Sequence, residues 1–183
     1  PERTAEEVSR IALELLNNRP QDQPFFAWLH YSDPHAPYKK HRDYNPAGLK
    51  AWHWNKKDRV RARYASEVAY TDAHIGRVLD ALPENTLVVF TADHGESLFE
   101  HGYLGHGRRI HQTGIHIPLI IRAPGLAPGR THAPVCGTDI GPTLLGLAGL
   151  PKSGGMLGTN LMAALPPASR ARIIETYGGA VPK

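Results

Sequence analysis

The chain has 183 residues, a formal net charge of +4, 41% hydrophobic and 21% charged residues. These are globular values, and they exclude a disordered tail, a collagen and a coiled coil. Apolar runs such as Ile115–Ile121 fall well short of the ~20 residues of a membrane span, and the single cysteine, Cys136, excludes an intramolecular disulfide framework and a cysteine-built zinc site.

The chain opens on Pro1 rather than Met, so the natural start is expected upstream. No basic segment followed by an apolar run marks a signal peptide. Residues 3–18 predict an amphipathic helix, with Val8, Ile11, Ala12, Leu15 and Leu16 at helical spacing. Thr4 followed by Glu7 has the pattern of a capping box, and Asn17, Asn18 and Pro20 end the helix. Phe25-Phe26-Ala27-Trp28-Leu29-His30-Tyr31 is a continuous apolar run of strand length and predicts a buried strand. Ser32-Asp33-Pro34-His35-Ala36-Pro37-Tyr38 follows at once, with two prolines holding an extended loop.

Residues 39–57 show no period and predict a long ordered loop. Residues 58–82 predict a helix with Val60, Tyr64, Val68, Ile75, Val78 and Leu79 apolar. Thr86–Thr91 is rich in β-formers and predicts a second buried strand, which runs into Ala92-Asp93-His94-Gly95-Glu96. The glycine- and histidine-rich stretch 97–114 predicts a site loop with short helical turns. Ile117–Arg122 predicts a third strand, its Pro118 marking a start or an irregular position. A helix is expected from Thr138-Asp139-Ile140 through Leu150. Residues 152–183 form a Gly- and Pro-rich tail leading to an edge-like strand at 173–177. Apolar strands alternating with helices indicate an α/β layer fold with a largely parallel sheet, and ligands in such sheets gather at the carboxyl ends of strands. Segments 32–38 and 92–96 both lie at such ends.

Much of the basic excess falls between Lys39 and Arg63, with Trp52 and Trp54 among the charges. Interleaved basic and aromatic residues suit nucleic acid; a solvated loop and helix face, or steering of an anionic substrate, suits them as well. Asp93 and His94 supply a hard anionic oxygen and an imidazole nitrogen, together fit to hold a divalent cation; a capped turn before Gly95 has the same residues. His35 is either a loop histidine bonded to backbone or a group preorganised by Pro34 and Pro37. His101, His106 and His111 recur five apart, a spacing that puts them on no single helix face.

These segments together resemble the sulfatase family of the alkaline-phosphatase-like superfamily. The resemblance runs through Phe25–Tyr38, Tyr64–Arg77, Thr86–Ser97, Ile117–Gly125 and Asp139–Leu145 in the family's order. It implies an α/β/α sandwich with a mostly parallel central sheet, here incomplete, and a partial catalytic domain over 1–183. Asp93 then looks like a calcium ligand, and His94 a further ligand or sulfate contact. His35 is similar to the histidine that contacts the sulfate and assists the leaving oxygen. His106 stands near a lysine of many members, a departure that leaves it to act as a protonated group or a hydrogen-bond donor; Arg108 and Arg109 are alternative sources of positive charge. Glu96 is expected to shape the loop.

The resemblance also implies a formylglycine, made from a Cys or Ser in a Cys/Ser-x-Pro-x-Arg motif. No such motif occurs in this sequence, and Cys136 lies in Val135-Cys136-Gly137-Thr138-Asp139. It reads as a small buried hydrophobe. The chain is therefore expected to be part of a sulfuric ester hydrolase, carrying half of a Ca2+ site and the leaving-group side of a sulfate pocket, and to be inactive alone. Its partner would be a sulfate-ester small molecule or a sulfated glycan rather than nucleic acid. A phosphatase, phosphonate hydrolase or phosphotransferase parent, and a non-catalytic anion-binding module, are the alternative readings.

Overall fold

The computed structural model describes residues 2–46 and 55–174. The chain forms two compact units. The first combines Pro1–Thr86 with Ala92–His106 and His111–Ile117; the second combines Leu87–Thr91 with Gly107–Ile110 and Pro118–Lys183.

The first unit is built on two helices, α1 (Ala5–Asn18) and α2 (Lys56–Ala81). The capping box at α1 forms as its spacing predicts: the Glu7 amide donates to Thr4 Oγ1 at 3.3 Å, and the Thr4 amide donates to Glu7 Oε2 at 3.1 Å. The buried face of α1 is Ala5, Ser9 and Ala12. The larger apolar residues lie toward its edges, and Leu15 is 65% exposed. Small residues on this face let α2 approach closely, and the Ser9 hydroxyl donates to the His74 carbonyl of α2 at 2.9 Å. Asn55 caps α2 by accepting from the Asp58 amide. Its buried face carries Glu67 and His74 among Ala62, Ser66, Tyr70 and Val78. Lys56, Lys57, Arg59, Arg61 and Arg63 are exposed, the disposition of a solvated face. Residues 39–46 hold a 3-10 turn at Arg42–Tyr44. The rest of the expected loop up to residue 54, with Trp52 and Trp54, lies outside the described residues.

The run 25–31 departs from expectation. It forms no strand, and Phe26 and Trp28 are 81% and 79% exposed. Its composition fits burial, but burial requires a neighbouring strand, and no described residue pairs with it. Downstream, β2 (Ser97–Leu98) and β3 (Leu104–Gly105) make a short antiparallel hairpin. Its turn places Phe99 at φ 76° and Gly102 at φ 68°, and Phe99 there bears the left-handed strain of about 1–2 kcal/mol. The single-turn helix α3 (Gln112–Ile115) closes the segment.

In the second unit, β1 (Val88–Thr91) pairs antiparallel with β4 (Leu119–Arg122), Val88 opposite Arg122 and Thr91 opposite Leu119. Both ladders among the described residues are antiparallel and two-stranded. The largely parallel sheet expected from the sequence is thus not formed among them, because parallel pairing needs further strands beside β1 and 25–31 stays unpaired. For the same reason β1 is half-buried to exposed instead of buried. A 3-10 turn at Gly137–Asp139 leads into α4 (Ile140–Leu147). Asp139 is fully buried and anchors this unit. It accepts both guanidinium arms of Arg170 at 2.7 and 2.9 Å, and the amides of Cys136 and Thr159 at 2.9 and 2.7 Å. Cys136 is only half-buried, its Sγ 3.0 Å from Thr138 Oγ1; the position is polar, not the small apolar site expected. Residues 173 and 174 form no strand, and 175–177 lie outside the described residues.

Candidate functional site

The loop 32–38 and the segment 93–106 belong to the same unit, and their polar side chains meet. His106 is the centre. Its ring stacks on His94 at 3.7 Å between centroids, and His35 meets it edge-on at 5.3 Å. Behind it, Glu96 is almost wholly buried, with 5% of its side chain exposed. Glu96 Oε1 lies 3.1 Å from His106 Nδ1, and Oε2 accepts the Tyr38 hydroxyl at 2.7 Å. Glu96 therefore ties the histidine of one loop to the tyrosine of the other. Tyr38 packs edge-on against Tyr64 of α2 at 5.5 Å. Burial pushes both phenols up from their ordinary range, and the Glu96 charge adds to it.

Elementary hydrogen-bond chemistry fixes the imidazoles. A carbonyl oxygen only accepts. His94 Nδ1 lies 2.9 Å from the Gly95 carbonyl, and His35 Nδ1 lies 2.8 Å from the Ala36 carbonyl. Each Nδ1 thus carries the proton, and each Nε2 is left for a ligand, the arrangement in which a second contact orients a metal-ligating imidazole. His94 Nε2 is 3.6 Å from Asp93 Oδ2. Asp93 is open to solvent with 74% of its side chain exposed, and its Oδ1 accepts the His94 amide at 3.0 Å. Asp93 and His94 together offer one carboxylate and one imidazole nitrogen side by side. They fit part of a cation site, since a hard cation takes six or more oxygens.

Gly95 is demanded by a close backbone passage. Its amide donates to the Gly114 carbonyl at 2.8 Å, and a Cβ built there would lie 2.2 Å from the Thr113 carbonyl oxygen. Only glycine lets the two backbones pass, and the contact sets where Asp93 and Glu96 lie. Next to it, Ser97 Oγ and Thr113 Oγ1 are 2.6 Å apart. Arg108 and Arg109 are exposed residues of the second unit. His101 and His111 stack on each other at 4.0 Å, a pairing apart from the one around His106.

Sequence reasoning brought out His35, Asp93, His94 and His106, and the structure gathers His35, His94 and His106 with Asp93 adjoining. It assigned Glu96 only a shaping role and left Tyr38 without one. It missed a second group altogether: Asp33, His41 and Glu67 each offer a ligand atom, all within 4.8 Å of one another. Glu67 sits on the buried face of a helix, where a carboxylate is rare unless paired; that was the signal available.

The family model described as Sulfatase matches residues 3–150. Arylsulfatase K of Danio rerio is 34% identical over 144 residues, covering 74% of this chain and 27% of that protein. An uncharacterized sulfatase, YidJ, of Escherichia coli (strain K12) is 29% identical over 220 residues, covering 97% of this chain and 44% of that protein. Choline-sulfatase of Rhizobium meliloti (strain 1021) is 35% identical over 97 residues, covering 50% and 19%. Among solved structures, Ps i-CgsB in complex with k-i-k-neocarrahexaose superposes with a TM-score of 0.67 at 27% identity, over 86% of this chain and 37% of that one. The chain thus spans between about a fifth and somewhat under half of the length of these relatives.

Proposed function

This chain belongs to the sulfatase family, and from that premise we propose that the protein carrying it hydrolyses sulfate esters. The fold is that of the family's solved members, the alkaline-phosphatase-like α/β fold. The observation that carries the reading is the meeting of His35, His94 and His106 beside Asp93 at one open face.

In this reading Asp93 and the Nε2 of His94 would hold part of a Ca2+ site, whose other ligands would come from residues outside these 183. The cation would supply charge stabilisation at the sulfate oxygens. A formylglycine on a residue outside these 183 would supply the nucleophile. This chain's own residues do the rest. His35 is oriented by its Nδ1–H bond to the Ala36 carbonyl, and a second proton on Nε2 lets it donate to the sulfate and to the leaving oxygen. His106, held through Nδ1 by Glu96, presents Nε2 to the sulfate as a hydrogen-bond donor where other members place a lysine. The Glu96 carboxylate balances an imidazolium there, and Tyr38 keeps that carboxylate in place. Preorganised donors of this kind stabilise charge developing in the transition state. Arg108 and Arg109 have no part in this reading. The neocarrahexaose complex of one structural relative and the glycosaminoglycan metabolism named for another support a sulfated glycan as substrate, and the arylsulfatase and choline-sulfatase among the relatives support a small sulfate ester.

The test is hydrolysis by the full-length protein, with calcium and mature formylglycine, of matched sulfate and phosphate esters. Faster turnover of the sulfate ester is expected. Turnover of the phosphate ester alone would place the protein among the superfamily's phosphatases and phosphotransferases instead.

A further inference from the structure

The carboxylate of Glu67 lies in the interior of the first unit, 1% exposed, on the buried face of α2. Its Oε1 accepts the Lys39 amide, and its Oε2 lies 2.9 Å from His41 Nε2. The His41 ring is fixed by stacking on Tyr70, centroids 4.0 Å apart and planes 7° from parallel. A second carboxylate, Asp33, brings an oxygen within 4.8 Å of both ligand atoms. Asp33 Oδ2 is buried and has no hydrogen-bond partner among the described residues.

Two carboxylates and one imidazole in so small a space leave negative charge that must be neutralised. Arg3 and Lys39 line the same cavity, yet among the described residues neither forms an ion pair with Asp33 or Glu67, and the side chain that meets the Glu67 carboxylate is the His41 imidazole. An orphaned buried carboxylate oxygen calls for an explanation. The cavity has a volume of about 60 Å³ and is lined by both Asp33 and Glu67, room for roughly two waters.

We propose that Asp33, His41 and Glu67 bind a divalent ion of the zinc class, distinct from the cation at Asp93 and His94. One imidazole nitrogen and two carboxylate oxygens are the donor set of such an ion, whereas calcium takes oxygens in larger number. Ligand atoms held tetrahedrally at about 2.0–2.1 Å from zinc lie roughly 3.3–3.4 Å apart, and His41 Nε2 and Glu67 Oε2, 2.9 Å apart, reach that spacing by a small side-chain adjustment. The ion would take the place of the proton between them and draw in the unpartnered Asp33 Oδ2. Three protein ligands leave a fourth position for water from the cavity. Its effect is structural: it staples the loop that carries His35 to the helix that carries Tyr64.

The experiment is metal analysis and zinc titration of the full-length protein, stripped of metal and then dialysed against zinc. Carrying Asp93→Asn and His94→Ala in the background removes the other cation site. One equivalent of zinc is expected in that background, with a rise in melting temperature on adding zinc. Both are lost in Asp33→Asn, which keeps the side-chain shape and disturbs no hydrogen bond of Oδ2. Glu67→Gln is expected to lose the zinc too. Where Glu67→Gln fails to fold, Asp33→Asn decides alone. Zinc uptake equal in Asp33→Asn and its parent, or no zinc uptake and no thermal shift in either, would overturn the proposal. The latter outcome would mean that a shared proton alone holds the cluster together.

Discussion

Replacing Asp139 by asparagine in the second unit should produce a pH-dependent loss of stability. Burial alone would raise this carboxyl. The Arg170 fork and the amides of Cys136 and Thr159 more than offset it and hold it at about 2, against an ordinary 3.8. The folded pKa lies below the unfolded one, so the stabilisation is fully present above 3.8 and is lost as pH falls through about 2. The difference corresponds to about 2 kcal/mol at neutral pH, an upper figure because the 19%-exposed Arg170 side chain is partly screened by water. Asp139→Asn preserves the shape but can accept from at most one of the two amides without turning its NH2 toward the other. Thermal unfolding of wild type and variant from about pH 7 down to about pH 2 measures the gap. It should be about 5 °C at neutral pH, taking ~2–4 °C per kcal/mol for a chain of this size, and should close toward pH 2. A gap that stays constant across that range would refute the electrostatic origin of the stabilisation.

Three further outcomes follow from the first unit. Burial, with Arg77 second, lowers His74 below its ordinary 6.5, so stability present above 6.5 is lost as pH falls below it; His74→Leu should flatten the melting-temperature profile over that interval. A double-mutant cycle between Tyr38→Phe and Glu96→Gln should show coupling of about 1.5 kcal/mol, the worth of a hydrogen bond to a charged acceptor, measured by denaturant unfolding. Gly95→Ala should destabilise by about 3 kcal/mol, because its Cβ would lie 2.2 Å from a backbone oxygen that cannot swing aside; a melting temperature equal to wild type would count against that.

The elements legible in the sequence were those fixed by local chemistry. The ends of α1 follow from Thr4, Glu7 and the Asn18–Pro20 stop, and α2 from its apolar period. What failed was burial, a property of neighbours. Phe26 and Trp28 have the composition of a core strand and no described strand to lie against. The α1 core face went to Ala5 and Ser9 over Leu15 because close helix approach favours small residues. In the site, Asp93 and His94 were legible from their place just after β1, His35 from its flanking prolines, and His106 from the family resemblance alone. Glu96 as the tie between Tyr38 and His106 was not, since nothing in sequence brings residue 38 near residue 96. Asp33, His41 and Glu67 were hidden for the same reason: a loop, a turn and a helix contribute one ligand each.

The most direct measurement is kcat/KM of the full-length, calcium-loaded, formylglycine-bearing protein on a sulfate ester, compared with its His35→Ala and His106→Ala variants. Each substitution is expected to cost about 10²-fold or more, the ordinary worth of a positioned acid–base group, with melting temperature unchanged in His35→Ala and lowered in His106→Ala, which strips the buried Glu96 carboxylate of a partner. Sulfate-ester turnover that is undiminished in both variants would contradict the account.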